Sequence, residues 1–163
     1  MKIGVLSDTH DELSNLLAAL ETYRKLKIET LIHCGDLTAL EMIAHFEGFR
    51  TIYTHGNMDF ATGTIKNRFE KMRKDNFAGP VFRGEIGGVP VAATHSHIDS
   101  KVMDLVRSQR FKWVFHGHTH QKRDEVINGV RIVNPGALGG LRKGPRSFCI
   151  VDLTDGDVQF LTL

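Results

Sequence analysis

The sequence lacks most features that would place it in a specialised class. Its 163 residues hold only two cysteines, Cys34 and Cys149, both within apolar strand-like runs. That excludes a disulfide framework and points to buried free thiols. With 21 basic and 19 acidic residues the formal charge is +2, too small an excess to imply a nucleic-acid surface. No apolar run approaches the ~20 residues that span a bilayer, so no membrane partner is expected. Met1-Lys2 leads straight into strand-like residues. The charged start, long apolar stretch and cleavage site of a signal peptide are missing, so the expected location is cytoplasmic. Repeats, linkers and low-complexity segments are absent too. The expectation is one domain over residues 1–163, long enough to bury a core without staples.

What the sequence has is one pattern repeated five times. A short apolar, β-branched run stops, and Asp, His or Asn follows, usually beside a glycine. Ile3–Ser7 runs into Asp8-Thr9-His10, and Leu31–Cys34 into Gly35-Asp36. Thr51–Thr54 leads to His55-Gly56-Asn57-Met58-Asp59, and Val89–Thr94 to His95-Ser96-His97. Trp113–Phe115 leads to His116-Gly117-His118-Thr119-His120. Such runs read as buried strands, and loops just past strand ends converge on one rim of a sheet. Asp8, His10, Asp36, Asn57, His95, His118 and His120 offer only oxygen and imidazole nitrogen. That donor set suits two metal ions sharing one carboxylate. Glycine at positions 35, 56 and 117 lets backbone turn sharply and approach the site.

The spacing predicts a helix over Glu12–Lys27, a strand at Thr30–Cys34, a helix over Leu37–Phe46 and a strand at Thr51–Thr54. This order implies parallel strands with helices outside. A further helical turn or two is expected within Ile65–Met72. Val81–Ile86 and Val89–Thr94 flank Gly87-Gly88 as a hairpin, and Asp99–Arg110 reads as a helix with Asp99 as N-cap. Two more hairpins are expected, one around Asn128-Gly129 and one around Asp155-Gly156. The second half is therefore strand-rich and partly antiparallel, and two sheets suit it better than one.

The ordered set Asp8-x-His10, Gly35-Asp36, Gly56-Asn57-x-Asp59, His95-x-His97 and Gly117-His118-x-His120 resembles the calcineurin-like metallophosphoesterase superfamily. The likeness is strongest to its small single-domain bacterial and archaeal phosphoesterases, and it runs as far as Asn134-Pro135-Gly136. It implies an α/β fold, a four-layer α/β/β/α sandwich of two mixed sheets with the metal site at the C-terminal strand ends. It also implies that Asp8, His10 and His120 hold one metal and Asn57, His95 and His118 a second, with Asp36 shared. An anionic bridge screens the repulsion of two dications ~3.5–4 Å apart, and a bridging water acidified to hydroxide is the implied nucleophile. Two divalent ions are the expected cofactors. Mn²⁺ comes first, and Ni²⁺, Fe or Zn²⁺ also suit mixed nitrogen and oxygen ligands.

The sequence departs from the family pattern in three places. Met58 stands where most members carry a histidine that protonates the leaving group. Ser96 replaces a common glycine, which serine does comfortably only at negative φ. Ala137 replaces a commoner serine. His97, two residues past His95, is the candidate to supply the missing proton. Asp59 is read as a structural loop residue, His55 and His116 as packing around the site, and His33 and His45 as core or surface histidines. The Arg142-Lys143-Gly144-Pro145-Arg146 run is either an attractor of anionic substrate or a solvated loop.

The function implied is hydrolysis of phosphodiesters or activated phosphomonoesters, diesters preferred. The partner is then a small phosphate ester. No basic stripe or aromatic platform suggests a nucleic-acid polymer, and a homo-oligomer is left open. The rival is a binding or scaffold protein that keeps the fold without turnover, as one retromer subunit does. A scaffold has no need of all seven donors.

Overall fold

Strand and helix alternate through the first half as the apolar spacing dictates. In the computed structural model, residues 1–96, 100–141 and 144–163 are described. The order is β1 (Lys2–Leu6), α1 (Leu13–Lys25), β2 (Thr30–His33), a 3₁₀ helix (Leu40–Phe46), β3 (Arg50–Thr54), α2 (Thr62–Met72) and β4 (Phe77–Gly79). There follow β5 (Val81–Ile86), β6 (Val89–Thr94), α3 (Ser100–Arg107), β7 (Trp113–His116), β8 (Lys122–Ile127), β9 (Val130–Pro135), β10 (Ser147–Asp152) and β11 (Val158–Thr162).

Two mixed sheets result. The first has the order β11-β10-β1-β2-β3-β4, the second β5-β6-β7-β9-β8. Strands β1 to β4 are parallel to one another, as are β6, β7 and β9. Hairpin partners run antiparallel, and β10 returns from the far end of the chain to lie antiparallel beside β1. Gly87-Gly88 and Asn128-Gly129 both hold positive φ at each central position, which matches the right-handed twist of the strands they join.

Period-two alternation sorts the strand side chains into layers. In β1, Val5 faces the other sheet and Leu6 faces α1. In β7, Trp113 and Phe115 face inward while Val114 meets α3. One apolar cluster lies under α1, the 3₁₀ helix and α2, a second between the sheets, and a third under α3. The architecture is the expected four-layer α/β/β/α sandwich. Cys34 and Cys149 are free and buried between the sheets.

Three local expectations need correction. The helix expected over Leu37–Phe46 covers only Leu40–Phe46 and is 3₁₀. Thr38 has φ 70°, outside the helical region, and its amide and that of Leu37 are held by Asp59 Oδ1 and the Tyr53 hydroxyl at 3.2 and 3.1 Å. Strand β4 was not expected, because three residues carry too little pattern; its pairing with β3 makes it a strand. The helix expected over Asp99–Arg110 is Ser100–Arg107, and its expected cap Asp99 lies outside the described residues.

Candidate metal centre

Five loops meet on one rim. They follow β1, β2 and β3 in the first sheet and β6 and β7 in the second, and parallel strands put their C-terminal ends together. Backbone bonds lace the loops. Asp8 N donates to Gly35 O at 2.9 Å, His10 N to Asp36 O at 3.0 Å, and Gly139 N to Asp8 O at 2.8 Å. Two further bonds join the sheets. His118 N donates to Asp8 Oδ2 at 3.0 Å, and His95 Nδ1 meets Cys34 O at 2.7 Å. A carbonyl only accepts, so Nδ1 of His95 carries a proton and Nε2 is the nitrogen that faces the site, a lone-pair donor when the ring is neutral.

All seven candidate ligands come together. Asp8 Oδ1 lies 3.8 Å from His10 Nε2 and 3.2 Å from His120 Nε2, and those two nitrogens are 3.3 Å apart. Next to them, His95 Nε2 lies 3.1 Å from Asn57 Oδ1, 3.3 Å from Asp36 Oδ2 and 3.3 Å from His118 Nδ1. Asp36 Oδ2 is also 3.7 Å from His10 Nε2, so this oxygen stands between the two groups. Among the described residues, Asp8, His10 and His120 form one set able to hold a cation, and Asp8, Asp36 and His95 another.

Lone pairs crowded in this way repel unless positive charge lies among them. Protons supply part of it. Burial pushes the Asp8 carboxyl up, but the imidazoles of His10, His120 and His95 around it outweigh that and hold the group far below the usual range. Asp36 is lowered against its own burial, chiefly by His95. The Asp8 carboxylate, 3.8 Å away, raises His10. Burial opposes charge on His95, yet Asp36 and Asp8 raise it overall. Protons still leave Asp8 Oδ1 buried without a donor. An orphaned anionic oxygen amid imidazole nitrogens is what a divalent cation satisfies, so the residues present fit the expected metals.

The local backbone is strained where the ligands sit. Asp8, His10, Asp36, His118 and His120 have φ of 53, 44, 59, 68 and 59°, a region that costs non-glycine residues energy and that gathers at functional sites. Ser96 joins them at φ 74°, against the expectation that serine there implies negative φ. Glycine is needed for space at Gly56, where a Cβ would strike the Asp36 carboxylate, and at Gly140. A Cβ on Gly140 would lie 2.7 Å from His120 Cε1 and 2.9 Å from His10 Cδ2.

Behind the ligands, two polar side chains fix the loops. Asp59 Oδ2 accepts from Asp36 N at 3.1 Å, Gly56 N at 2.7 Å and the Tyr53 hydroxyl at 2.5 Å. Its structural reading holds. Asn134 Nδ2 donates to Gly117 O at 2.9 Å and Thr119 Oγ1 at 3.0 Å, pinning the loop that carries His118 and His120. His116 is buried beneath it, which pushes its pKa down to about 4. His33 is a core histidine whose Nδ1 accepts from Gly35 N at 3.1 Å. Its Nε2 therefore carries the proton toward Thr9 Oγ1, 2.8 Å away. His45 is partly exposed on the 3₁₀ helix. In the basic run, Arg146 donates to the carbonyls of Gly139 and Gly140, so it clamps a loop. Arg142, Lys143 and the candidate acid His97 lie outside the described residues. Sequence reasoning missed Glu12, Gly140 and Leu141, which line the cavity over the ligands; the available signal was Gly139-Gly140, a glycine pair outside any hairpin.

The calcineurin-like phosphoesterase superfamily domain matches residues 1–156. The chain belongs to that superfamily. A phosphodiesterase of Methanocaldococcus jannaschii is 34% identical, over 100% of this chain and 99% of its own. A solved archaeal phosphodiesterase superposes at a TM-score of 0.95 with 32% identity, covering 100% of both chains. Vps29 of Entamoeba histolytica complexed with Zn²⁺ has the same fold at 17% identity and a TM-score of 0.71, over 100% of this chain and 98% of that one. Among the described residues no helix is long and apolar enough to cross a membrane.

Proposed function

We propose that this protein is a two-metal phosphodiesterase. The observation that carries the reading is the pairing of two donor groups through Asp36. Asp8, His10 and His120 would hold one cation, Asn57, His95 and His118 the other, and Asp36 Oδ2 would serve both, 3.3 and 3.7 Å from an imidazole of each set. Two such cations, Mn²⁺ first among Mn²⁺, Ni²⁺, Fe and Zn²⁺, would supply Lewis acidity toward phosphate oxygens and toward a water.

The chain's own residues do the rest. Cys34 O fixes the His95 tautomer, and the Met58 amide, 2.8 Å from Asp36 Oδ1, turns Oδ2 toward the site. Glu12 lines the same cavity, and its negative charge would oppose a second negative charge on the substrate. That favours monoanionic diesters over dianionic monoesters, in line with the relatives' stated activity. His97 is proposed as the partial replacement for the absent leaving-group acid. We place the protein in the cytoplasm as a single domain acting on small molecules.

The test is a metal-resolved screen on paired substrates, bis-nitrophenyl phosphate and nitrophenyl phosphate. Stripped protein regaining diester hydrolysis with Mn²⁺, at two ions per chain by elemental analysis, supports the reading. Two tightly held ions without turnover of either ester would favour the scaffold alternative.

A further inference from the structure

The cavity over the ligands is about 590 Å³ and is not wholly polar. Its floor is His10, Asp36, Asn57, His118 and His120, but Met58 and Leu141 form part of its wall. Both are solvent-facing, Met58 at 40% exposure and Leu141 fully exposed. A phosphoryl group fills a small fraction of such a volume, which is typical of sites for ligands of drug size. Exposed apolar side chains beside a polar floor mark where a ligand's apolar part rests. Arg146 holds the Gly139 and Gly140 carbonyls, immediately before Leu141. Met58 is anchored at its amide by Asp36. Glu12, on the same wall, excludes a tail that is itself anionic.

We infer that Met58 and Leu141 form a subsite for an uncharged apolar ester group, of aryl size, on the phosphodiester substrate. This rests on the phosphoesterase reading and narrows it: polyphosphate-bearing and short alkyl diesters are poor ligands, and diesters with one flat apolar group are good ones.

The test uses binding to Zn²⁺-loaded protein, with phenylphosphonate and methylphosphonate as probes. Their head groups carry the same charge, so the ratio of their dissociation constants isolates the ring. The carbon-13 methyl resonance of Met58 supplies a second readout. Phenylphosphonate should bind about tenfold tighter, as expected for covering roughly 60 Å² of apolar surface, and should shift the Met58 methyl signal. In Leu141→Ser, which alters an exposed side chain and leaves the core intact, the ratio should fall to about threefold or less. Equal binding of the two probes, or a ratio unchanged in Leu141→Ser, overturns the subsite while leaving the metal reading in place. Failure of phenylphosphonate to bind overturns the subsite, whereas absence of bis-nitrophenyl phosphate hydrolysis by the same protein loaded with Mn²⁺ overturns the phosphoesterase reading itself. Burial of Met58 and Leu141 in a self-associated dimer, seen as a methyl shift on dilution, also overturns the subsite.

Discussion

Met58 holds Asp36. Its backbone amide donates to Asp36 Oδ1 at 2.8 Å, so the residue that lacks a proton to give still aims the carboxylate proposed to serve both metals. Main chain and side chain of one residue thus have separate tasks, and substitutions can separate them.

Asp36→Asn should therefore lower diester hydrolysis more than Asn57→Ala or His10→Ala, by at least about a hundredfold. Neutralising it removes the carboxylate whose Oδ2 faces His10 on one side and His95 on the other. Steady-state rates at saturating metal, with bound metal per chain, decide the ranking; Asp36→Asn retaining the most activity of the three would sink the bridging assignment.

Met58→His should act on the side-chain task alone. A positioned acid typically contributes ~10²–10⁴-fold. The unmodified protein should show a steep fall of kcat/KM with rising leaving-group pKa, and Met58→His should flatten it. If His97 gives partial help, His97→Ala should slow alkyl esters more than nitrophenyl esters. A flat line for the unmodified protein would mean that an efficient acid is already in place.

Glu12→Gln should raise kcat/KM for nitrophenyl phosphate relative to bis-nitrophenyl phosphate. Removing a carboxylate from the cavity wall relieves repulsion of the dianion more than of the monoanion. The change should shrink as salt rises, because exposed charges are screened. An unaltered substrate ratio at low salt would show that Glu12 does not set charge preference.

Ser96→Gly should stabilise the fold. Serine at φ 74° is strained where glycine is not. A gain of roughly 0.5–1 kcal/mol corresponds to about 1–4 °C in melting temperature for a chain of this size. A lower melting temperature would mean that the Ser96 side chain contributes more than its backbone costs.

Acid should weaken the metal-free protein in a defined window. Burial holds His33 and His116 neutral, with pKa values pushed from 6.5 to about 4. Protonating His33 would also abolish the Nδ1 acceptor for Gly35 N. Between about pH 6 and pH 4.5 the unfolded chain binds these protons and the folded chain does not, so stability falls as pH falls. Each group adds up to about 1.4 kcal/mol per pH unit. Urea unfolding in chelator across that range checks the sign, and His33→Gln should reduce the slope while lowering stability at neutral pH.

The sequence by itself determined the strands other than β4, their parallel order in the first half, the hairpins at Gly87-Gly88 and Asn128-Gly129, and the seven candidate donors. These follow from local spacing: period-two apolar runs and turn residues carry their signal within a few positions. It determined the glycines at 35, 56 and 117 for the same reason. Tertiary structure alone decided what depends on partners distant in the chain. The return of β10 to β1, the three-residue β4, and the loss of helix at Leu37 and Thr38 are set by Tyr53, Asp59 and neighbouring strands. Asp59, Asn134 and Arg146 became loop anchors, and Gly140 and Leu141 became cavity wall, only once segments remote in sequence were packed together. Composition carries no record of such contacts, because they are fixed by which surfaces the folded layers bring face to face.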